Sequence, residues 1–150
     1  MDSRYIEELI SEDIQSLGCA IWGIELSGRI ISPTLRIFID KDSGISIEDC
    51  EKVSKHISKV LDAKSDLNRN FSLEVSSPGM ERKFFKNSQY TKYLNYPIKV
   101  RYISDDEAFI TKKGILEEVR EGGLVLKSHN EYFFIGFDSI EKANLEIAKE

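Results

Sequence analysis

The sequence predicts an α+β fold with two domains. The first is an N-terminal two-layer α/β domain in residues 1–94 that ends in a short connector helix, and the second is a small β-barrel in residues 95–150. Up to about residue 76, helical and strand periodicities alternate in the order helix, strand, strand, helix, strand, whereas from Pro97 onward the patterned segments have the two-residue period of strands. The 150 residues, 41% of them hydrophobic, are enough to form a packed core.

The first three elements follow from apolar spacing. A helix is predicted by a set of apolar residues that recur at helical spacing, namely Ile6, Leu9, Ile10, Ile14 and Leu17. Ser3 can cap its N-terminus, and Gly18 suits the left-handed conformation that commonly ends a helix. Alternating apolar residues in 22–26 and 35–39 predict two strands, for which a hairpin is the simplest pairing.

A second helix has a clear start signal. Ser46 can cap it, and Asp49 lies three residues further on, where its carboxylate can complete a capping box. The apolar stripe of this helix consists of Cys50, Val53, Ile57, Val60 and Leu61. Three lysines share another face, and they are Lys52, Lys55 and Lys59. These lysines can form either a solvated face or a binding stripe, and the solvated face is the more common case.

A third strand runs into a stiff polar turn. Phe71, Leu73 and Val75 alternate with polar residues, and Pro78 then restricts the preceding backbone while Gly79 permits angles closed to other residues. We refer to the following candidate partner-binding residues as the recognition corner: Glu74, Ser76, Ser77, Pro78, Gly79, Glu81 and Arg82. Arg82 can pair with Glu74 or Glu81 and stiffen the turn, or its planar fork can bind a phosphate or carboxylate of a partner. The sequence does not separate these two roles.

An aromatic connector precedes the second domain. It contains Phe84, Phe85, Tyr90, Tyr93 and Tyr96, interleaved with several lysines. Such residues can stack on RNA, but in a short connector they more often pack the two flanking domains together. Beyond the connector, five short strands are predicted at 98–103, 108–119, 124–128, 131–137 and 142–147. Five short strands in so few residues suggest closure into a barrel, because closure removes exposed sheet edges.

Charge and motif content exclude several classes of function. The net charge of −5 is spread over both halves of the chain, so strong gripping of a phosphate backbone by charge alone is not expected. We expect no metal site, no cofactor and no small-molecule substrate, because Cys19, Cys50 and the two histidines match no ligand motif and no phosphate-binding glycine loop is present. Catalysis by Ser76 or Ser77 is not expected either. Without a long apolar run or a signal-peptide core, the sequence predicts a cytoplasmic protein with no membrane contact.

The run Leu73–Arg82 closely resembles the signature of the RimP family of bacterial ribosome maturation factors. Supporting similarities lie in Leu35–Asp40, Gly44–Cys50 and Ile140–Leu145, in the same order and spacing. The resemblance extends from about Ile6 to Leu145. It loosens after Arg82, where the family usually continues with proline and leucine and this chain has lysine and phenylalanine.

The resemblance implies a specific role. Members of the family have an SH3-like (Sm-like) barrel after the α/β domain, and they are cytoplasmic, non-enzymatic factors that bind the immature 30S ribosomal subunit near the future decoding centre. It also implies a basic small-subunit ribosomal protein as a direct partner, and contacts to small-subunit rRNA are compatible with this role. We expect the recognition corner and the three lysines to contact the subunit, and the barrel loops Ser104–Glu107 and Ser128–Asn130 to contact the ribosomal protein. The alternative is an Sm-like protein that binds small RNAs, which the near-neutral barrel disfavours.

Overall fold

The computed structural model describes residues 3–29, 32–64 and 72–146. The chain forms two compact units, Met1–Pro78 and Gly79–Glu150. We call them the first unit and the second unit.

The first unit has the predicted order of helix, strand, strand, helix, strand. Its elements are α1 (Ser3–Ser16), β1 (Ala20–Arg29), β2 (Ser32–Asp40), α2 (Ile47–Lys64) and β3 (Ser72–Ser76). β1 and β2 form the expected antiparallel hairpin, and β3 pairs with β2 in parallel. A parallel partner requires a crossover connection, and α2 lies in that connection. Phe71, which we assigned to the third strand, lies outside the described residues.

The two helices and the sheet enclose one hydrophobic core. Leu35, Ile37 and Ile39 point to the same face of β2 and are at most 1% exposed. They share a cluster with the fully buried stripe residues of α1 and with Val53 and Ile57 of α2. The opposite face of this sheet carries polar residues of the strands. Among them are Glu74 and Ser76, the two residues of the recognition corner that lie on β3.

The helix ends follow the sequence with one exception. Gly18 ends α1 with φ +86°, as its position predicted. α1 begins at Ser3 itself, so Ser3 is its first residue and not the cap that we expected. The capping box of α2 is confirmed, because Asp49 N donates to Ser46 Oγ at 3.1 Å and Ser46 N donates to Asp49 Oδ2 at 2.9 Å.

The second unit contains a five-stranded antiparallel sheet. After a 3-10 helix (Asn87–Tyr93) its strands are β4 (Pro97–Ile103), β5 (Phe109–Arg120), β6 (Gly123–Ser128), β7 (Glu131–Gly136) and β8 (Ile140–Leu145), and a second 3-10 helix (Phe137–Ser139) joins β7 to β8. All five predicted strands are present, with small shifts at their ends. Ile147, which we assigned to the last strand, lies outside the described residues.

This sheet is strongly curved, and its strand pairings do not close it. The strand order is β7-β6-β5-β4-β8, so β7 and β8 lie at opposite edges, and no pairing among the described residues joins them into the expected barrel. In a flat sheet of five strands, the two edges would be about 19 Å apart. The chain crosses from Gly136 to Ile140 through only a three-residue 3-10 helix, a link that spans at most about 14 Å. The sheet must therefore curl its two edges toward each other.

The aromatic connector belongs to the second unit. We expected a domain boundary between residues 94 and 95 and aromatics packed between two domains, whereas the chain divides after Pro78. Phe84 and Tyr90 are buried and stacked with ring centroids 4.4 Å apart, and Tyr90 stacks on Phe137 at 5.9 Å. These rings fill space against their own sheet, which is why the connector groups with the strands that follow it.

Candidate functional site

Glu74 stands on the outer face of the first unit's sheet, where an arginine holds it. β2 and β3 place Arg36 directly beside Glu74, and Arg36 Nε donates to Glu74 Oε2 at 2.8 Å. On the other side, Arg36 Nη1 lies 3.8 Å from Glu25 Oε2 of β1. One guanidinium therefore links carboxylates from both neighbouring strands, and all three side chains retain access to solvent.

Sequence reasoning did not single out Arg36 as the partner of Glu74. It proposed Arg82, which follows closely in sequence, whereas Arg36 lies 38 residues before Glu74. The alternation of β2 does place Arg36 opposite Leu35 and Ile37, on the solvent face. What the sequence lacks is the parallel register that brings Arg36 beside Glu74.

The turn after β3 is open to solvent. Gly79 has φ +82°, a conformation that strongly favours glycine, and a Cβ built there would have no neighbour within 4 Å. Ser77 and Glu81 are exposed, and Ser76 and Pro78 are half-buried. Met80 is 77% exposed, although sequence reasoning did not include it among the candidate residues. An unbranched thioether in the middle of a polar turn is the signal that could have identified it.

Arg82 is anchored in the second unit through its backbone. Its carbonyl oxygen accepts from Leu145 N at 2.9 Å, and Phe84 N donates to Ala143 O at 2.9 Å, so this segment pairs with the outer edge of β8. The Arg82 guanidinium lies over the Tyr93 ring, 5.4 Å from its centroid. A single cation–π contact leaves other N–H groups of the guanidinium able to bind a phosphate or carboxylate. The structural role and the binding role are therefore compatible.

The three lysines form an exposed stripe on α2. Lys52, Lys55 and Lys59 are three and four residues apart, which places them on one face of the helix, and all three are exposed. His56, which adjoins them in sequence, instead contacts α1, because its Nε2 lies 3.1 Å from Asp13 Oδ1. The histidine thus links the two helices.

An open groove joins this stripe to β3. The groove has a volume of about 390 Å³ and is lined by Ile47, Cys50, Glu51, Ser54, Lys55 and Val75. Ile47 is 76% exposed beside it. Lys55 and Val75 line the same depression, so the structure brings one member of the lysine stripe next to the strand that carries Glu74 and Ser76. Lys52 and Lys59 extend the stripe along α2 on either side of Lys55.

The titratable groups of the first unit are suited to structural roles. The backbone N–H of Ser46, assisted by Lys41, lowers the pKa of Asp49 to about 2. Burial raises the pKa of Cys19 and of Cys50, which disfavours the thiolate in both. Within 3–29, 32–64 and 72–146, no group of three or more His, Cys, Asp or Glu side chains could hold a metal ion. No helix in the same ranges is long and apolar enough to cross a membrane.

These features lie on a small α+β protein. Comparison with known families identifies its first unit: residues 9–81 match the family model of the RimP N-terminal domain. The chain therefore carries the N-terminal domain of the RimP family of ribosome maturation factors. The match begins inside α1 and ends at Glu81, so it includes the recognition corner up to the residue before Arg82.

Proposed function

We propose that this protein is a maturation factor of the small (30S) ribosomal subunit. It binds the immature subunit near the future decoding centre and acts through binding, without catalysing a reaction and without a cofactor or small-molecule substrate. The observation that carries this proposal is the family match over residues 9–81, which spans both the exposed turn and the lysine stripe. We propose a cytoplasmic location for the same reason, since subunit assembly takes place there.

The exposed groups of α2, of β3 and of the turn that follows β3 suit a ribosomal partner of mixed charge. Lys52, Lys55 and Lys59 offer three cations to rRNA phosphates along a single helix face. The carboxylates of Glu74 and Glu81 suit a basic small-subunit ribosomal protein, since complementary charge speeds encounter and fixes orientation. The half-buried Ser76 and Pro78 and the exposed Ser77 and Gly79 hold the turn in shape between these groups.

We further propose that the second unit is an SH3-like (Sm-like) barrel. The support is the three-residue connection between its two edge strands, which requires strong curling. Its loops Ser104–Glu107 and Ser128–Asn130 are tight turns, with positive φ angles at Glu107, His129 and Asn130. We propose that these loops contact the ribosomal protein, because rigidly held loops commonly carry recognition.

Deletion of the gene followed by sucrose-gradient profiling tests the function. We expect free small subunits and unprocessed small-subunit rRNA to accumulate, while large subunits mature normally. A profile identical to that of the parent strain would contradict the proposal. A block in large-subunit maturation alone would contradict it as well.

Charge variants test the proposed contact face. Lys55→Gln should weaken cosedimentation of the purified protein with immature small subunits and make it less sensitive to salt. The matched control is Lys92→Gln, which removes one exposed lysine from the 3-10 helix of the second unit. Equal losses from the two variants would show that only net charge matters, and the assignment of the stripe would then fail.

A further inference from the structure

The outer face of the second unit's sheet concentrates positive charge. The inward side chains form an apolar core, including Val100 and Leu126, which are fully buried. Strand alternation places the following five cations on the opposite face: Lys99, Arg101, Lys113, Lys127 and Lys142. We call this surface the basic face.

Two exposed aromatic rings stand at one edge of the basic face. Tyr132 and Phe134 are 60% and 57% exposed, and they lie two residues apart on the same side of β7. Residues so spaced on a strand are about 6.6 Å apart. Lys127 pairs with Tyr132 in the sheet, and its ammonium lies 5.8 Å from the centroid of the tyrosine ring.

The Phe134 ring is held against a glycine of the neighbouring strand. A Cβ built on Gly123 would lie 2.9 Å from Phe134 Cζ, so the ring rests directly over the bare backbone. At the far end of the basic face, Phe109 is 53% exposed and lies under Arg101, 4.7 Å from the guanidinium carbon to the ring centroid. The basic face thus has aromatic groups at both ends and cations between them.

This arrangement is unfavourable for the sheet alone. Lys99 lies directly opposite Lys113, and Arg101 lies directly opposite Lys142. Like charges in directly opposed positions destabilise a sheet. Glu141 pairs with Arg101 at 3.1 Å and Glu146 with Lys113 at 3.7 Å. Within residues 3–29, 32–64 and 72–146, Lys99 and Lys142 have no carboxylate within ion-pair distance, so a polyanion would relieve both repulsions.

We propose that the basic face binds single-stranded RNA, with Tyr132 and Phe134 stacking on two successive bases and the lysines contacting phosphates. Stacking platforms beside basic grooves bind single strands with little sequence preference. Duplex RNA would engage the cations but not the rings, since its bases are already stacked. An acidic peptide would also leave the paired rings unused. The inference rests on the proposed function, in which immature rRNA supplies the unpaired strand.

Net charge conceals this surface because several acidic groups of the second unit lie in its turns, although Glu118, Glu141 and Glu146 lie on or beside the basic face. Asp105, Asp106 and Glu107 occupy the β4–β5 turn, and Glu121 lies at the β5–β6 turn. The summed charge of the second unit is therefore near zero, although one face of its sheet is cationic. The near-neutral charge that disfavoured RNA binding by the second unit therefore does not exclude a cationic face on its sheet.

Fluorescence anisotropy of the full-length protein with a labelled twelve-nucleotide oligouridylate tests the inference. We expect binding whose log affinity falls linearly with log salt concentration. Lys99→Gln and Lys142→Gln should each reduce that slope by about 0.7. Tyr132→Leu should lower the affinity about tenfold with little change in slope, and Tyr132→Phe should restore it, because the ring and not the hydroxyl stacks.

Matched controls lie outside the basic face. Lys92→Gln removes an equal charge from an exposed position, and Tyr5→Leu removes an exposed ring from α1. Both should leave the anisotropy titration unchanged. Thermal unfolding of each variant identifies any loss that follows from misfolding, and the Tyr132→Phe comparison keeps the test valid if Tyr132→Leu is unstable.

Three outcomes would overturn the inference. The first is no binding of the oligonucleotide at low salt, and the second is equal losses in face and control variants. In the third, the variants of the basic face keep RNA binding but lose binding of a ribosomal protein. That result would make the basic face a protein-docking surface. Its failure is distinct from failure of the proposed function. A normal gradient profile with intact RNA binding would contradict only the function, whereas a 30S defect without RNA binding would contradict only the inference.

Discussion

Arg36 and Glu74 occupy directly paired positions on β2 and β3, and the Arg36 Nε atom lies 2.8 Å from the Glu74 Oε2 atom. The Glu74 carboxylate of the recognition corner is therefore already paired with Arg36, its neighbour in the sheet. A cation on a partner must compete with Arg36 or approach the second carboxylate oxygen. The ion pair thereby sets the direction from which Glu74 can be reached.

Replacing either member of this pair separates its structural role from its recognition role. Glu74→Gln and Arg36→Gln both remove this exposed ion pair, and Arg36→Gln also removes the longer contact with Glu25, so each should lower the free energy of unfolding by less than about 1 kcal/mol. Only Glu74→Gln removes the carboxylate, and only it should weaken cosedimentation with immature small subunits. Equal weakening by both would indicate that the pair merely shapes the strand. Urea denaturation supplies the stability measurement.

Arg82→Ala should leave the second unit folded. The pairing with β8 uses backbone atoms of Arg82 and Phe84, and the side chain contributes a cation–π contact of about 0.5–1 kcal/mol. We expect a small fall in the unfolding midpoint together with weaker subunit binding. Tyr93→Leu is the comparison, since it removes the same contact and keeps the guanidinium. A large loss of stability in Arg82→Ala would assign the residue to structure alone.

The capping box of α2 should make stability depend on acid pH. The pKa of Asp49 falls from 3.8 to about 2 in the folded chain. The stabilisation from its ionised carboxylate is therefore complete above about pH 4 and is lost as the pH falls toward 2. Urea midpoints measured between pH 2 and 6 should fall less steeply in Asp49→Asn than in the parent. Parallel curves for the two proteins would contradict the prediction.

Gly123→Ala and Gly122→Ala form a matched pair of adjacent substitutions. A Cβ at Gly123 would collide with the carbonyl oxygen of Ile135 and lie 2.9 Å from Gly136 Cα, whereas a Cβ at Gly122 would have no neighbour within 4 Å. Overpacking of this kind costs about 1–3 kcal/mol. Gly122→Ala should change the free energy of unfolding by no more than about 0.5 kcal/mol. Calorimetry of both variants checks the difference, and similar midpoints would refute it.

Local signals in the sequence predicted the elements well. The Ser46–Asp49 capping box and the turn at Gly79 depend on residues within three positions of each other, so their chemistry can be read directly. The alternation of the five later strands was equally clear. These features arise from backbone preferences that need no distant partner.

Long-range relationships could not be read in the same way. The parallel register that joins Arg36 to Glu74 depends on the path of α2, which no local pattern specifies. Phe84 and Tyr90 stack on each other, and no local pattern in the connector indicates that pairing. The basic face was missed for a related reason. Alternation assigns each lysine to a side of its strand, but only the register aligns Lys99, Lys113 and Lys142.

The segregation of charge in the second unit has a practical consequence for handling the protein. An isoelectric point near 5.2 suggests that the molecule should pass through a cation exchanger at neutral pH. Adsorption to a resin depends on the most favourable orientation, however, and the basic face can meet a sulfonated surface. The protein should therefore be retained on heparin or sulfonate resins at low salt.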